Sequence, residues 1–347
     1  MVENSIFYNE DAFGKLSEII DNESEKFILC DTQTKKYCLP YLSSKIPTLT
    51  KATILSLPKG ENSKEWESAI YVWDKLLKKN ADKHSILLNV GGGVVCDLGG
   101  FVASVFKRGI TYVNIPTSLM AQVDAAIGGK TAINFNGIKN QIGSFYLPQY
   151  VFIFNDLLLS LPKKHYLSAF AEMLKHALIA DKKYWEALKQ IKNTKTIINH
   201  QHLIQQSINI KENIVAQDFK DCKERKKLNF GHTIGHAIEA ELLKNRKNIL
   251  HGEAIAWGML VEAHLSWQKG FLSSQDLEEI NAVIRGYYYS LPTYYINENN
   301  LIKLIKNDKK RISNNSNITL LKGIGCAIIN QNCSDSEIRK AVRFTFQ

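Results

Sequence analysis

The hydrophobic period of this chain changes once, near Asp156, and that change limits the fold more than any other feature. Upstream, short apolar runs alternate with helical patterns. Lys26–Asp31, 52–57, 85–90, 111–115 and 151–154 read as strands. Residues 63–79 read as a helix capped by Ser63, with Trp66, Ile70, Trp73 and Leu77 on its apolar stripe. Alternation of this kind predicts a parallel sheet with helices on both faces. Downstream, the patterns lengthen into helices over 164–179, 182–191, 200–218, 232–243, 252–269 and 274–285. A strand signal returns only at 317–321. The expectation is an α/β domain over residues 1–155 and a mostly α-helical domain over 156–347.

Length agrees with two domains, since 347 residues exceed what one hydrophobic core usually serves. A hydrophobic content of 45% with 22% charged residues excludes a disordered chain, a collagen-like fibre and a coiled-coil rod. The net charge of +10 favours an anionic partner: nucleic acid, an acidic membrane surface or a small phosphorylated acid. No helix-turn-helix, zinc-finger or RNP pattern is present, and the basic residues are scattered. Nucleic-acid binding is therefore not expected beyond a weak, salt-sensitive association. The basic runs 220–227 and 306–311 read as solvated loops. No run approaches the ~18 apolar residues of a membrane span. Met1-Val2-Glu3-Asn4 lacks the layout of a signal peptide. The six cysteines form no C-x-x-C pair, so reduced thiols in a cytoplasmic protein are expected.

Three groups of residues carry chemistry. The strand at 85–90 runs into Gly91-Gly92-Gly93-Val94-Val95-Cys96-Asp97. This suits a turn that brings backbone N–H groups to a pyrophosphate, although a tight structural turn has the same composition. Cys96 stands where G-x-G-x-x-G has its third glycine. Asp31, ending an earlier strand, is placed either to bind a ribose hydroxyl or to cap a helix. His232 and His236, four apart on a helix, share a face. His251 opens another helical run, and Glu172 lies on an earlier one. Two imidazoles and a carboxylate with an open position form a catalytic Zn²⁺ or Fe²⁺ ligand set, and hydrogen-bonded structural histidines are the alternative. Position 233 is Thr, so there is no HExxH and no zincin protease. Finally, Lys130 and Lys139-Asn140 sit among glycines and apolar residues. With Arg108, Lys175, Lys211, Arg225 and Asn229 they suit an anion bearing phosphate and carboxylate.

Taken in order, GGGVVCDLGGF, KRG, IPTSL, QVDAAIGGKTAINFNGIKNQIGSF, AEMLKHALI, LNFGHTIGHAIE, HGEAIAWGM and NDKK resemble 3-dehydroquinate synthase, of the sugar-phosphate cyclase superfamily. The resemblance runs from about Cys30 to Lys310. It implies an N-terminal Rossmann-like domain that binds NAD, a helical C-terminal domain that binds a divalent metal, and a homodimer. The implied metal ligands are Glu172, His232 and His251, with Zn²⁺ expected and Co²⁺ an alternative. The implied NAD contacts are Asp31, Glu61, Lys64, Gly92, Gly93, Val94, Val95, Asp97, Thr117, Ser118, Lys130, Lys139, Leu157, Leu158, Leu159 and Ser160. The implied substrate and catalytic groups are Asp124, Lys130, Asn140, Lys175, Lys211, Arg225, Asn229, His236, Lys309 and Lys310. Arg108 is expected to act in the neighbouring subunit's site. The implied reaction turns 3-deoxy-D-arabino-heptulosonate 7-phosphate into 3-dehydroquinate and phosphate. Its steps are transient oxidation with NAD, β-elimination of phosphate, re-reduction, ring opening and aldol closure. Against the family pattern, Cys96 replaces a glycine and threatens to crowd the pyrophosphate, and Ser118 replaces a threonine.

Overall fold

Apolar residues on consecutive strand positions imply burial on both strand faces, and the computed structural model of the chain bears this out. It describes residues 5–22, 25–247, 249–289, 296–308 and 316–346. The chain divides into two units, Met1–Pro162 and Lys163–Gln347.

The first unit carries strands β1 (Ser5–Tyr8), β2 (Lys26–Asp31), β3 (Thr53–Leu57), β4 (Ile86–Gly91), β5 (Thr111–Pro116), β6 (Lys130–Phe135), β7 (Ile138–Phe145) and β8 (Tyr150–Ile153). Six of them form one parallel sheet in the order β1-β8-β5-β4-β2-β3. Alternate strand residues feed two cores. Ile28, Cys30, Leu88 and Val113 face one, and Phe27, Leu29, Leu87 and Tyr112 the other. The strand order reverses between β2 and β4, where a doubly wound sheet opens a crevice at its carboxyl ends. Cys30 pairs with Val90, so Asp31 and the Gly91 turn emerge side by side there.

The boundary of this unit lies past the change in hydrophobic period. Asp156 accepts a hydrogen bond from Tyr41 at 2.5 Å, and Leu157 is in the core. Two expectations fail on the helix Trp66–Lys78. Its cap residue is Glu65, and Ser63 instead donates to the Pro58 carbonyl at 2.6 Å. Its buried face is Ala69, Val72 and Leu76, while Ile70 and Leu77 are about half exposed. The small Ala69 permits close packing, and of the expected stripe only Trp73 turns inward, donating its indole N–H to the Val102 carbonyl at 3.1 Å. β6 and β7, unforeseen as strands, form an antiparallel hairpin. Its two-residue turn, Asn136-Gly137, has φ of 50° and 75°, as a type I′ turn requires.

The second unit is mostly helical. Its main helices are Lys163–Ala180, Gln201–Gln217, His232–Lys244, His251–Gln268 and Ser274–Tyr287, each within about two residues of expectation. The strand Ser316–Leu321 pairs with an unforeseen one, Ala327–Cys333, and Asp335–Phe346 adds a helix. Among the described residues no helix is long and apolar enough to cross a membrane. None of the six cysteines is in a disulfide.

Candidate functional site

In the first unit, the helix Gly93–Val105 starts directly from β4 through Gly91-Gly92. Its N-cap, Gly92, offers no side chain, and a Cβ there would meet Ser118 Oγ at 3.4 Å. The close packing of helix on strand falls at Gly99, where a Cβ would lie 1.9 Å from the buried Asn89. Position 96 thus need not be glycine. Cys96 is buried, and its thiol donates to the Gly91 carbonyl at 3.8 Å. Burial pushes that thiol far above its ordinary value. The side chain is thus packed against the turn and away from solvent. Thr117 donates its N–H to Gly91 at 3.0 Å, which brings Thr117-Ser118 to the same turn.

Asp31 is a helix cap. One carboxylate oxygen accepts from the N–H of Gln33 and Thr34 at 2.7 and 2.8 Å. Lys64, buried, ion-pairs with Asp97 at 2.5 Å and donates to Asn140 Oδ1. Burial raises the Asp97 carboxyl, and Lys64 opposes that shift. Asn134, unforeseen as a site residue, ties this group together. It donates to Glu61 at 2.9 Å and accepts from the N–H of Asn140 at 3.0 Å. The only sequence signal was its place beside the Asn136-Gly137 turn. Lys64 and Asp97, assigned to NAD above, and Asn140, assigned to the substrate, thus form one polar network. Lys130 and Lys139 lie on the exposed faces of the hairpin. Asp124 is in the π-helical turn Ala121–Ala125 and raises Asp97 further. Val95, Leu157 and Leu158 are buried side chains, which leaves only their backbone to meet a ligand. Leu159 and Ser160 are exposed. Arg108 is exposed within Lys107-Arg108-Gly109, where all three residues have positive φ.

In the second unit, three helices bring their functional residues together because glycines let them approach. A Cβ at Gly252 would lie 1.7 Å from the Ser168 carbonyl, one turn before Glu172. A Cβ at Gly258 would lie 2.0 Å from the Gly231 carbonyl. His232 and His251 are the first residues of their helices. Glu262 also holds the first of these helix ends, accepting from the N–H of Gly231 at 2.6 Å.

Glu172 Oε1 faces His232 Nε2 at 3.5 Å and His251 Nε2 at 3.7 Å. His232, His236 and His251 bring ring nitrogens within 4.8 Å of one another. His232 Nδ1 lies 3.1 Å from the Phe230 carbonyl, and His251 Nδ1 lies 3.2 Å from Glu239 Oε2. Glu172 is fully buried and ion-paired with Lys175, yet neither of its oxygens accepts a hydrogen bond. Burial, then the Lys175 charge and the neighbouring imidazoles, hold His232 well below its ordinary value, and so neutral. A buried carboxylate without hydrogen bonds, faced by a neutral imidazole and a second ring nitrogen, fits a divalent cation with open positions.

Lys211 and Arg225 are likewise buried. Lys211 is one turn beyond Ser207, which is bonded to His176 of the Glu172 helix at 2.8 Å. Arg225 donates to the Phe219 carbonyl at 2.8 Å, which removes it from the solvated loop expected over 220–227. Asn229 and His236 are exposed. Lys309 and Lys310 lie outside the described residues.

These features define a class: a doubly wound sheet with a glycine turn at its switch point, joined to a helical unit with a carboxylate–imidazole cluster. Residues 54–168 match the family model for 3-dehydroquinate synthase N-terminal, and residues 169–311 that for 3-dehydroquinate synthase C-terminal. The chain belongs to the 3-dehydroquinate synthase family. It is 40% identical to 3-dehydroquinate synthase of Parabacteroides distasonis, over 99% of this chain and 98% of that one. With that of Dictyoglomus thermophilum it is 39% identical over 85% and 83%. Among solved structures, 2-epi-5-epi-valiolone synthase from Streptomyces hygroscopicus, with NAD⁺ and Zn²⁺ bound, aligns with a TM-score of 0.87 at 22% identity, over 99% of this chain and 97% of that one. A 2-deoxy-scyllo-inosose synthase complexed with carbaglucose-6-phosphate, NAD⁺ and Co²⁺ aligns at 0.86, also at 22% identity, over 98% and 96%. These two likenesses establish the shared fold.

Proposed function

We propose that the chain is a 3-dehydroquinate synthase that converts 3-deoxy-D-arabino-heptulosonate 7-phosphate to 3-dehydroquinate and phosphate. It would act as a cytoplasmic homodimer with NAD and a divalent metal, Zn²⁺ being the expected ion. The observation that carries this reading is Glu172, buried, without hydrogen bonds and facing two imidazole nitrogens, in a chain of this family. When bound, NAD supplies a reversible hydride acceptor and the metal a Lewis acid.

The chain's own residues then have distinct tasks. Glu172, His232 and His251 hold the metal. The Gly91-Gly92 turn and Thr117-Ser118 receive the pyrophosphate, and Asp31 keeps its second carboxylate oxygen for a ribose hydroxyl. His236, one turn from His232 and exposed, is placed to move protons. Lys130, Asn140 and a second copy's Arg108 would take the phosphate, with Asp124 nearby in the first unit. Lys175, Lys211, Arg225, Asn229 and a lysine of 309–310 would take the carboxylate and hydroxyls.

Release of inorganic phosphate from the heptulosonate phosphate tests the reading. Release should require NAD, stop after EDTA treatment and leave no NADH accumulating. Release without NAD would refute the redox cycle. No release from protein with both cofactors bound would point to a sibling cyclase acting on another sugar phosphate or to a metal-dependent dehydrogenase.

A further inference from the structure

We infer that Glu239 is a positioning residue that sets the tautomer and direction of His251 as a metal ligand, an inference that rests on the ligand reading above. His251 is the first residue of its helix, and its side chain is 37% exposed. Packing alone therefore does not hold its ring. Glu239 Oε2 lies 3.2 Å from Nδ1, and the opposite nitrogen, Nε2, points to Glu172 Oε1. A proton on Nδ1, donated to the carboxylate, leaves the Nε2 lone pair facing Glu172. That is the tautomer a ligand needs.

Glu239 comes from the helix His232–Lys244, seven residues after His232 and three after His236. All three occupy one helical face. This helix thus supplies one ligand itself and orients another on a neighbouring helix. His232 is treated differently: its Nδ1 has a neutral partner, the Phe230 carbonyl. Of the two ligand imidazoles, His251 is the one with a carboxylate at its Nδ1.

The test measures Zn²⁺ affinity of the full chain by competition with a chromophoric chelator, together with the visible absorption of the Co²⁺-loaded protein. Glu239→Ala should weaken Zn²⁺ about 10–100-fold and change the Co²⁺ spectrum. Glu239→Gln keeps an acceptor without the charge. It should weaken Zn²⁺ at least about threefold with the spectrum retained. Glu172→Ala, run alongside, should abolish binding. Wild-type affinity in both Glu239 variants, with binding lost in Glu172→Ala, would overturn the inference alone. Wild-type affinity in Glu172→Ala would overturn the ligand reading beneath it. If Glu239→Ala does not fold, Glu239→Gln decides: weakened binding supports the role, and unchanged affinity overturns it.

Discussion

Glu172 and Lys175 are both buried, and each is the other's counter-charge. Removing one partner of such a pair leaves an uncompensated charge out of water, at a cost of about 3–5 kcal/mol. Lys175→Met should therefore destabilise the metal-free protein by about that amount. It should also tighten Zn²⁺ binding, because the cation would replace the lost ammonium. Chemical denaturation and a Zn²⁺ titration of the variant check both, and unchanged stability would show that the pair carries no load. A second prediction concerns His232, whose folded form resists protonation because of burial and the Lys175 charge. Below about pH 6.5 the unfolded imidazole takes up a proton that the folded one refuses. The unfolded state then binds more protons, so stability falls as the pH is lowered. His264, also lowered by burial, acts in the same direction. Thermal melting of the metal-free protein between about pH 7.5 and 5.5 should show this slope. It should be shallower in His232→Asn, and identical slopes would remove His232 from the account.

At the scale of elements, the helix crossing is set by glycine. A methyl group at position 258 would meet the Gly231 carbonyl and the Gly235 amide, both backbone atoms that cannot rotate away. Gly258→Ala should cost about 3 kcal/mol or more and should weaken Zn²⁺ binding by moving His232 away from His251. Wild-type melting and affinity would show that the crossing tolerates separation. This close packing was not visible in the sequence, where Gly258 is one small residue in an apolar helix. The ligand residues were more legible, since His232 and His236 at helical spacing and His251 before a helix are local patterns. Five of the sheet's six strands were legible for a similar reason: strands buried on both faces are unbroken apolar runs, whereas the short edge strand β1 was not foreseen. β7 was not, because most of its residues are exposed and it has no such run. The helix Trp66–Lys78 was found, but not its orientation. The stripe of Trp66, Ile70, Trp73 and Leu77 and the stripe of Ala69, Val72 and Leu76 have nearly the same period. What distinguishes them is the depth available above the sheet, a property of the neighbours. The network of Lys64, Asp97, Asn134 and Asn140 draws on residues up to 76 positions apart, beyond any local reading.

At the scale of the whole molecule, Arg108 is set apart by its exposed position on a turn of positive φ. A guanidinium on a three-residue positive-φ turn is presented outward by a backbone that only glycine adopts without strain. Such strain is kept where the presented group has a task, and in the proposed homodimer that task would be phosphate binding in the second copy's site. Complementation tests it. Arg108→Ala dimers lack the arginine at both sites, and Glu172→Ala dimers lack the metal ligand at both. In a mixed dimer, the subunit with intact Glu172 receives its arginine from the other, so one site of the two is complete. Random assortment makes half the dimers mixed, so co-expressed variants should show about a quarter of wild-type phosphate release, with each variant alone nearly inactive. An arginine that serves its own subunit gives no recovery, because no site would then hold both residues. The same yield of mixed dimers, verified by differential tagging, makes the absence of recovery decisive against the exchange.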